Sequence, residues 1–257
     1  MLLTTWNVFH GRSPEDLRVD AGRLADAVAS LGPDVLALQE VDRGQPRSDH
    51  VDVTAVAAEA MGAAHARFVP TVIGEPGFSW RAATVDDAGA AADAYGVALL
   101  SRLPVESWHV LRLPPVRAVR VPVPVPGTRL LLWLRDEPRV VLAARLRSRA
   151  GLLTVAATHL SFVPGANVVQ LRRAARWLRT LGGPAVLLGD LNLPAAVADR
   201  TPGLRVLARA RTHPASRPRW QLDHALGSTG VPRVVRAEAR RLPVSDHLAL
   251  QVELEGT

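Results

Sequence analysis

The sequence of 257 residues contains no cysteine, and this absence removes three kinds of chemistry. The chain can form no disulfide, use no thiolate nucleophile and bind no zinc through sulfur. It also contains no lysine, so all 31 basic residues are arginine. No apolar run approaches the roughly 20 residues that a membrane-spanning helix needs. The first residues lack a basic stretch followed by an apolar one, so we expect no secretory signal and take the cytoplasm as the default location.

The composition is that of a folded protein, with 48% hydrophobic and 21% charged residues. It excludes an intrinsically disordered chain, which would combine low hydrophobicity with high charge. The 31 basic and 24 acidic residues give a net charge of +7. The planar guanidinium of arginine suits phosphate, but GC-rich coding also produces a chain rich in alanine and arginine. Charge alone therefore does not establish nucleic-acid binding.

The first forty residues read as strand, helix, strand. Leu2–Val8 and Asp34–Val41 are short apolar segments typical of buried strands. The helix between them begins either at Ser13-Pro14 or at Asp20, and it ends at Gly32-Pro33. This is the opening of an α/β domain.

The rest of the chain continues to alternate, with more strands than helices. The pattern predicts helices over Val51–Met61 and Asn167–Leu181, and strands over Tyr95–Leu100, Val140–Arg147, Leu152–His159, Ala185–Gly189, Trp220–Leu226 and Leu248–Glu253. The segment Gly74–Ala94 reads as a loop, and the proline-rich segment 114–127 as a loop or edge strand rather than a linker. We predict one mixed α/β domain, of the α+β type, over residues 1–257.

Polar side chains stand where these apolar strands begin or end. They are Asn7, Glu40, His159, Asp190, Asn192, Asp223, Asp246 and His247. A carboxylate in an apolar segment is costly unless it is paired, hydrogen-bonded or bound to a metal. If the strands are neighbours, these groups meet at one rim and offer hard oxygen ligands of the kind that Mg²⁺, Mn²⁺ and Ca²⁺ select. An aspartate there can activate water, and a histidine can protonate a leaving group.

Each of these residues also has a purely structural interpretation. Asn7 can form a turn, Glu40 can be a surface carboxylate, and His159 can be a buried histidine with its hydrogen bonds satisfied. Asp190 and Asn192 can form an Asx turn, and the later aspartates can be loop acids. These alternatives are reasonable one at a time, but they do not explain the whole ordered set.

The ordered set resembles the endonuclease/exonuclease/phosphatase superfamily, whose fold is shared with pancreatic-type deoxyribonuclease. The resemblance rests on Thr5-Trp6-Asn7-Val8, Leu38-Gln39-Glu40-Val41, Ala98-Leu99-Leu100-Ser101-Arg102, Thr158-His159-Leu160, Gly189-Asp190-Leu191-Asn192, Leu222-Asp223-His224 and Ser245-Asp246-His247. It implies a four-layer sandwich of two packed mixed β-sheets flanked by helices. It also implies a Mg²⁺-dependent phosphoesterase in which Mn²⁺ can substitute and no obligate protein partner is needed.

The resemblance also implies roles for individual residues. Metal binding falls to Glu40, with Asn7 as ligand or support and Asp246 as a further ligand or network acid. Catalysis falls to Asp190 as water activator, to His247 oriented by Asp223, and to His159 on the leaving-group side. Asn192 would hold a phosphate oxygen. His10 and Arg102 are candidate substrate-binding residues, as are Arg12 and Arg43.

The substrate stays open at this stage. The position two residues after Asn7, where abasic-site nucleases of the superfamily carry a second acid, is Phe9. The segment Asn7–Gly11 looks more like small bacterial hydrolases and sphingomyelinase-like members. Nucleic acid, phospholipid and small phosphate esters are all possible substrates. The competing function is a non-enzymatic, arginine-rich nucleic-acid-binding module on the same scaffold.

Overall fold

The computed structural model describes residues 1–89, 93–116, 120–124, 131–149 and 151–256. Its strands are β1 (Leu2–Asn7), β2 (Val35–Arg43), β3 (His65–Gly74), β4 (Trp80–Ala82), β5 (Ala94–Ser101), β6 (Val105–Leu113), β7 (Arg120–Pro124), β8 (Leu131–Arg135), β9 (Arg139–Ser148), β10 (Gly151–His159), β11 (Ala185–Asp190), β12 (Arg205–Val206), β13 (Asp223–Gly227), β14 (Val234–Arg240) and β15 (Ala249–Leu254). Its α-helices are α1 (Ala21–Leu31), α2 (Val53–Met61), α3 (Ala166–Thr180) and α4 (Ala195–Ala198).

The strands form two large mixed sheets. One has seven strands in the order β14-β15-β1-β2-β5-β3-β4, and the other has six in the order β12-β13-β11-β10-β9-β6. In the first sheet β1 runs parallel to β2 and antiparallel to β15. In the second, β10 runs parallel to β11 and antiparallel to β9. Strands β7 and β8 pair separately as a two-stranded ribbon.

Three apolar clusters hold four layers together. The central cluster fills the space between the sheets, with Leu99 from one sheet and Leu142 from the other. A second cluster, including Leu24, packs α1 and α2 onto the seven-stranded sheet. A third, including Leu171, packs α3 and α4 onto the six-stranded sheet. The expected sandwich of two mixed sheets flanked by helices is confirmed.

The first helix begins after Asp20 and not at Ser13-Pro14. The Asp20 carboxylate accepts a hydrogen bond from the backbone N–H of Arg23 at 2.9 Å, as an N-cap does. The helix start predicted at Ser13-Pro14 is wrong, because the chain turns there. Ser13 and Leu17 close a backbone hydrogen bond of 2.9 Å, and Leu17 has a positive φ of 57° that no α-helix accommodates.

Several strands of the structure were not predicted, because they show no alternating apolar pattern in the sequence. Four of them, β4, β6, β12 and β14, lie at the edges of the two large sheets. Edge strands carry charged side chains, which protect the sheet from further pairing but hide the pattern. Strand β4 also lies within the segment predicted as loop. The strand predicted over Trp220–Leu226 begins only at Asp223.

The described part of the proline-rich segment includes strand β7, in agreement with the edge-strand interpretation. The remainder at 117–119 and 125–127 lies outside the described residues. In the ranges that the structure describes, no helix is long and apolar enough to cross a bilayer.

Candidate active site

The strand ends that carry the polar residues meet at one rim of the sandwich. Parallel pairing places Asn7 of β1 opposite Gln39 of β2, one residue before Glu40. In the other sheet His159 pairs with Asp190, and Asp190 pairs with Asp223. Asn7 joins the two sheets directly, since its amide Nδ2 donates to Glu40 Oε1 at 2.9 Å and to Asp190 Oδ2 at 3.1 Å.

A bulge in β2 directs Glu40 into this rim. The pairing of β2 with β5 shifts register between Leu38 and Val41, and Glu40 has a φ of 52°. In a regular strand Glu40 would face the same way as Leu36 and Leu38, which pack under the helices. The bulge turns the carboxylate to the site, a use of bulges that is common next to active sites.

Close packing of β10 and β11 sets His159 beside Asp190. A Cβ at Gly189 would lie 2.0 Å from the Thr158 carbonyl oxygen, so only glycine allows this approach. His159 Nε2 then lies 3.7 Å from Asp190 Oδ2. Asn192 turns back on the same group: its backbone N–H donates to Asp190 Oδ1 at 2.9 Å, and its Nδ2 lies 3.3 Å from His159 Nε2.

A buried carboxylate orients His247. Its Nδ1 lies 2.8 Å from Asp223 Oδ2, and its Nε2 lies 3.9 Å from Asp190 Oδ2. The loop before it is fixed by Ser245, whose hydroxyl donates to the Asn7 carbonyl and accepts from the His247 backbone N–H. The two histidines of the predicted site therefore flank one carboxylate.

The surroundings shift the pKa values of Asp190, His247 and His159 in different ways. Burial and the neighbouring Asp223 carboxylate together raise the pKa of Asp190 to about 6. Burial alone would lower the pKa of His247, but the carboxylates of Asp223 and Asp190 raise it to about 10. Burial, aided by the positive charge of Arg139, holds the pKa of His159 well below its usual value. At neutral pH the site therefore contains one imidazolium and one neutral imidazole.

Asp246 lies next to a histidine of a neighbouring loop. Its Oδ2 lies 3.6 Å from Nε2 of His213, a residue of the loop before β13 that the sequence patterns do not single out. The His213 ring stands 4.5 Å from the His247 ring, centroid to centroid. Among the described residues, two groups of three acids and histidines have ligand atoms within 4.8 Å of one another: Asp190, Asp223 and His247, and His213, Asp246 and His247. Glu40 belongs to neither group.

His10, a candidate substrate-binding residue from the sequence, is not exposed at the site. It is buried between two carboxylates, with Nε2 at 3.4 Å from Glu40 Oε2 and Nδ1 at 3.4 Å from Asp42 Oδ1. Asp42 also accepts two hydrogen bonds from Arg47, at 2.8 and 2.7 Å. His10, Asp42 and Arg47 therefore hold Glu40 from its buried side, where they are unsuited to contact substrate.

The structure does not bring Arg102 to the site. Arg102 follows β5 where it pairs with the start of β2, and its backbone N–H donates to the Asp34 carbonyl. This is the end of β2 opposite to Glu40. The side chain donates to the Met61 carbonyl at 2.5 Å and is used in packing α2. Arg12 and Arg43 lie over the rings of Phe9 and Phe68.

The donor set at the rim fits a hard divalent cation. Glu40 and Asp190 present carboxylate oxygens joined through one amide group, and oxygen ligands are what Mg²⁺ and Mn²⁺ prefer. The Glu40 side chain keeps 21% of its surface exposed, which leaves an approach for an ion with its water shell. The Asn7 amide oxygen accepts from the Phe9 backbone N–H, so Asn7 acts here as a support of both carboxylates.

The sequence pattern of the endonuclease/exonuclease/phosphatase family matches residues 4–247. This match spans nearly the whole chain, so the protein belongs to that family. A comparison with curated proteins gives no significant match.

Solved structures show the same fold at low identity. An endonuclease/exonuclease/phosphatase from Beutenbergia cavernae is 23% identical with a TM-score of 0.66, and the match covers 98% of this chain and 70% of that one. A mannosyl-6-phosphatase from Bacteroides thetaiotaomicron is 16% identical with a TM-score of 0.62, covering 99% of both chains. Truncated TDP2 from Caenorhabditis elegans is 16% identical with a TM-score of 0.59, covering 98% and 95%.

Proposed function

We propose that the chain is a Mg²⁺-dependent hydrolase of phosphate esters, in which Mn²⁺ can replace Mg²⁺. The Asp190 carboxylate, whose pKa is raised, lies close to the His247 imidazolium, to Asn192 and to Glu40. This arrangement is the observation that carries the proposal. When bound, the divalent ion would neutralise phosphate charge and stabilise the leaving oxygen. Glu40 would be its principal ligand, supported by Asn7. The role of Asp246 as a further ligand stays a prediction.

We assign Asp190 the role of holding and activating the attacking water. Its carboxylate is fixed by the backbone of Asn192 and the amide of Asn7, so it can hold a water molecule in one direction. A pKa of about 6 leaves it ionised at neutral pH yet basic enough to accept a proton. This combination suits a general base that activates the nucleophile of an in-line displacement.

We assign His247 and His159 to the phosphate, which for His159 replaces the leaving-group role that the resemblance implies. In an in-line displacement the attacking and leaving oxygens stand on opposite sides of phosphorus. Both histidines lie within 4 Å of Asp190 Oδ2, and therefore on the side of the attacking water. The imidazolium of His247 would neutralise a non-bridging oxygen, and Asn192 with neutral His159 would hold another through hydrogen bonds.

A panel of phosphodiesters and phosphomonoesters, assayed with and without divalent cation, tests the proposal. Bis(p-nitrophenyl) phosphate and p-nitrophenyl phosphate serve as first substrates. We expect hydrolysis with Mg²⁺ or Mn²⁺, loss under chelator, and a fall of at least about 10²-fold in kcat for Glu40→Gln and for Asp190→Asn. The matched control is Glu59→Gln on the exposed face of α2.

Full activity of both site variants would contradict the assignment. A protein that bound nucleic acid but hydrolysed nothing on the panel would favour the alternative, a non-enzymatic binding module. The choice among nucleic acid, phospholipid and small phosphate esters follows from relative kcat/KM on the same panel, and steep salt dependence would indicate a polyanionic substrate.

A further inference from the structure

A second group of metal-binding side chains lies beside the proposed catalytic centre. His213, Asp246 and His247 each offer one ligand atom, and these atoms all lie within 4.8 Å of one another. The group is held by backbone hydrogen bonds between two loops. Ala215 N–H donates to the Asp246 carbonyl at 2.6 Å, and Leu248 N–H donates to the Thr212 carbonyl at 2.8 Å. The three side chains are therefore positioned by the backbone of both loops.

The ligand atoms stand within 4.8 Å of one another, somewhat wider than in a loaded tetrahedral site. Ligands about 2.0–2.1 Å from a tetrahedral ion stand roughly 3.3 Å apart. His213 Nε2 and Asp246 Oδ2 are already 3.6 Å apart, and the His213 and His247 rings are 4.5 Å apart at their centroids. Their side chains are 27% exposed for His213 and 37% for Asp246, so an ion can enter from solvent. An ion would have to draw the ligand atoms closer together than they stand in this structure.

The donors select a different ion from the one proposed for Glu40. Two imidazoles and one carboxylate form a set typical of Zn²⁺, whereas Mg²⁺ favours oxygen ligands throughout. Excess Mg²⁺ would therefore not compete strongly for the histidines. Asp246 is also a predicted ligand of the hard cation, so the two sites share no ligand only if Glu40 holds that ion without Asp246.

We propose that His213, Asp246 and His247 bind a transition-metal dication such as Zn²⁺, and that this ion inhibits hydrolysis by engaging His247. The inhibitory part rests on the proposed function, whereas the binding part does not. His247 Nδ1 is bonded to Asp223, so Nε2 is the ring nitrogen left for a ligand. An ion bound there would occupy the nitrogen that is assigned to the phosphate oxygen.

A substitution of His213 can separate metal binding by this group from the role of His247 in hydrolysis. It lies next to His247 but is not among the residues assigned to water, phosphate or the hard cation. Its ring stacks on Trp220 at a centroid distance of 6.4 Å, and phenylalanine would preserve this packing while removing the ligand. His213→Phe should therefore keep basal Mg²⁺-dependent activity and lose the second site.

The binding test uses Co²⁺ as a spectroscopic probe, with no substrate present. Wild-type protein, His213→Phe and the control His109→Phe are titrated with Co²⁺ in excess Mg²⁺, and visible absorption is recorded. His109 lies on β6, away from the group, where it bonds Ser107. We expect one Co²⁺ with d–d absorption in wild type and control, and an affinity at least about tenfold weaker in His213→Phe.

The inhibition test adds Zn²⁺ to the Mg²⁺-dependent assay. Zn²⁺ should inhibit wild type and the control, and His213→Phe should need at least about ten times more Zn²⁺ for the same inhibition. Equal Co²⁺ binding by wild type and His213→Phe would overturn the site, and equal Zn²⁺ inhibition of the two would overturn the inhibitory role. Loss of Co²⁺ binding in His213→Phe without any hydrolysis by wild type would instead support the site and reject the proposed function.

Discussion

Asp223→Asn is expected to remove most of the activity by discharging His247. The carboxylate of Asp223 lies 2.8 Å from His247 Nδ1 and is fully buried. Asparagine has the same shape and can still accept a hydrogen bond from Nδ1 through its amide oxygen, so the ring should keep its place. What changes is the charge that stabilises the imidazolium.

The magnitude follows from the pKa of His247. A rise from 6.5 to about 10 corresponds to about 5 kcal/mol in favour of the charged ring, mostly from Asp223. Without that carboxylate, burial lowers the pKa and only Asp190 and Asp246 still raise it, so the pKa should fall well below its value in the intact site and fewer molecules would carry the charge at pH 8. We expect kcat to fall by up to about 10⁴-fold, the loss that follows when a catalytic histidine loses its orienting carboxylate.

The pH profile gives the decisive measurement. An imidazolium exists below its pKa and is lost above it, so wild-type activity should persist to near pH 10 on the alkaline side. In Asp223→Asn the loss should begin at a clearly lower pH, because the carboxylate that raises the pKa of His247 is gone. The assay is kcat with bis(p-nitrophenyl) phosphate from pH 5 to 10, with circular dichroism melting to show that the variant is folded.

The control is Asp199→Asn, which removes an exposed carboxylate bonded to Arg209. It should leave both kcat and the pH profile unchanged. An Asp223→Asn variant with kcat within threefold of wild type at pH 8, and with the same alkaline limb, would refute the reasoning.

Two further predictions concern stability. Asp190 has a folded pKa of about 6, above its unfolded value near 3.9, so its ionised form destabilises the fold at pH 8 and this cost vanishes as pH falls below about 4. Asp190→Asn should therefore raise the free energy of unfolding by up to about 3 kcal/mol at pH 8 in chelator, measured by urea denaturation, and leave it nearly unchanged at pH 4; a lower value at pH 8 would contradict this. Arg47→Met should lower the free energy of unfolding by about 3–5 kcal/mol, because it leaves the buried Asp42 carboxylate without its two-point partner. The control is Arg233→Met, which breaks an exposed pair with Glu255 and should leave the free energy of unfolding almost unchanged.

The order of the polar site residues along the chain could be predicted from the sequence alone. Short apolar strands ending in Asn7, Glu40, His159 and Asp190 are local patterns, and the ends of neighbouring strands must meet. The sandwich of two sheets followed from the resemblance carried by the same motifs. Edge strands were missed because charged residues along them break the alternation on which the prediction depends.

The tertiary structure alone decided what each polar group faces. Periodicity places a side chain on one face of a strand, but the bulge at Glu40, the burial of His10 between carboxylates and the position of Arg102 at the far end of β2 depend on pairing partners distant in sequence. The opposite charge states of His159 and His247 have the same origin. A pKa is set by burial and by charges a few ångströms away, and only the folded chain brings Asp223 to His247 and His213 to Asp246.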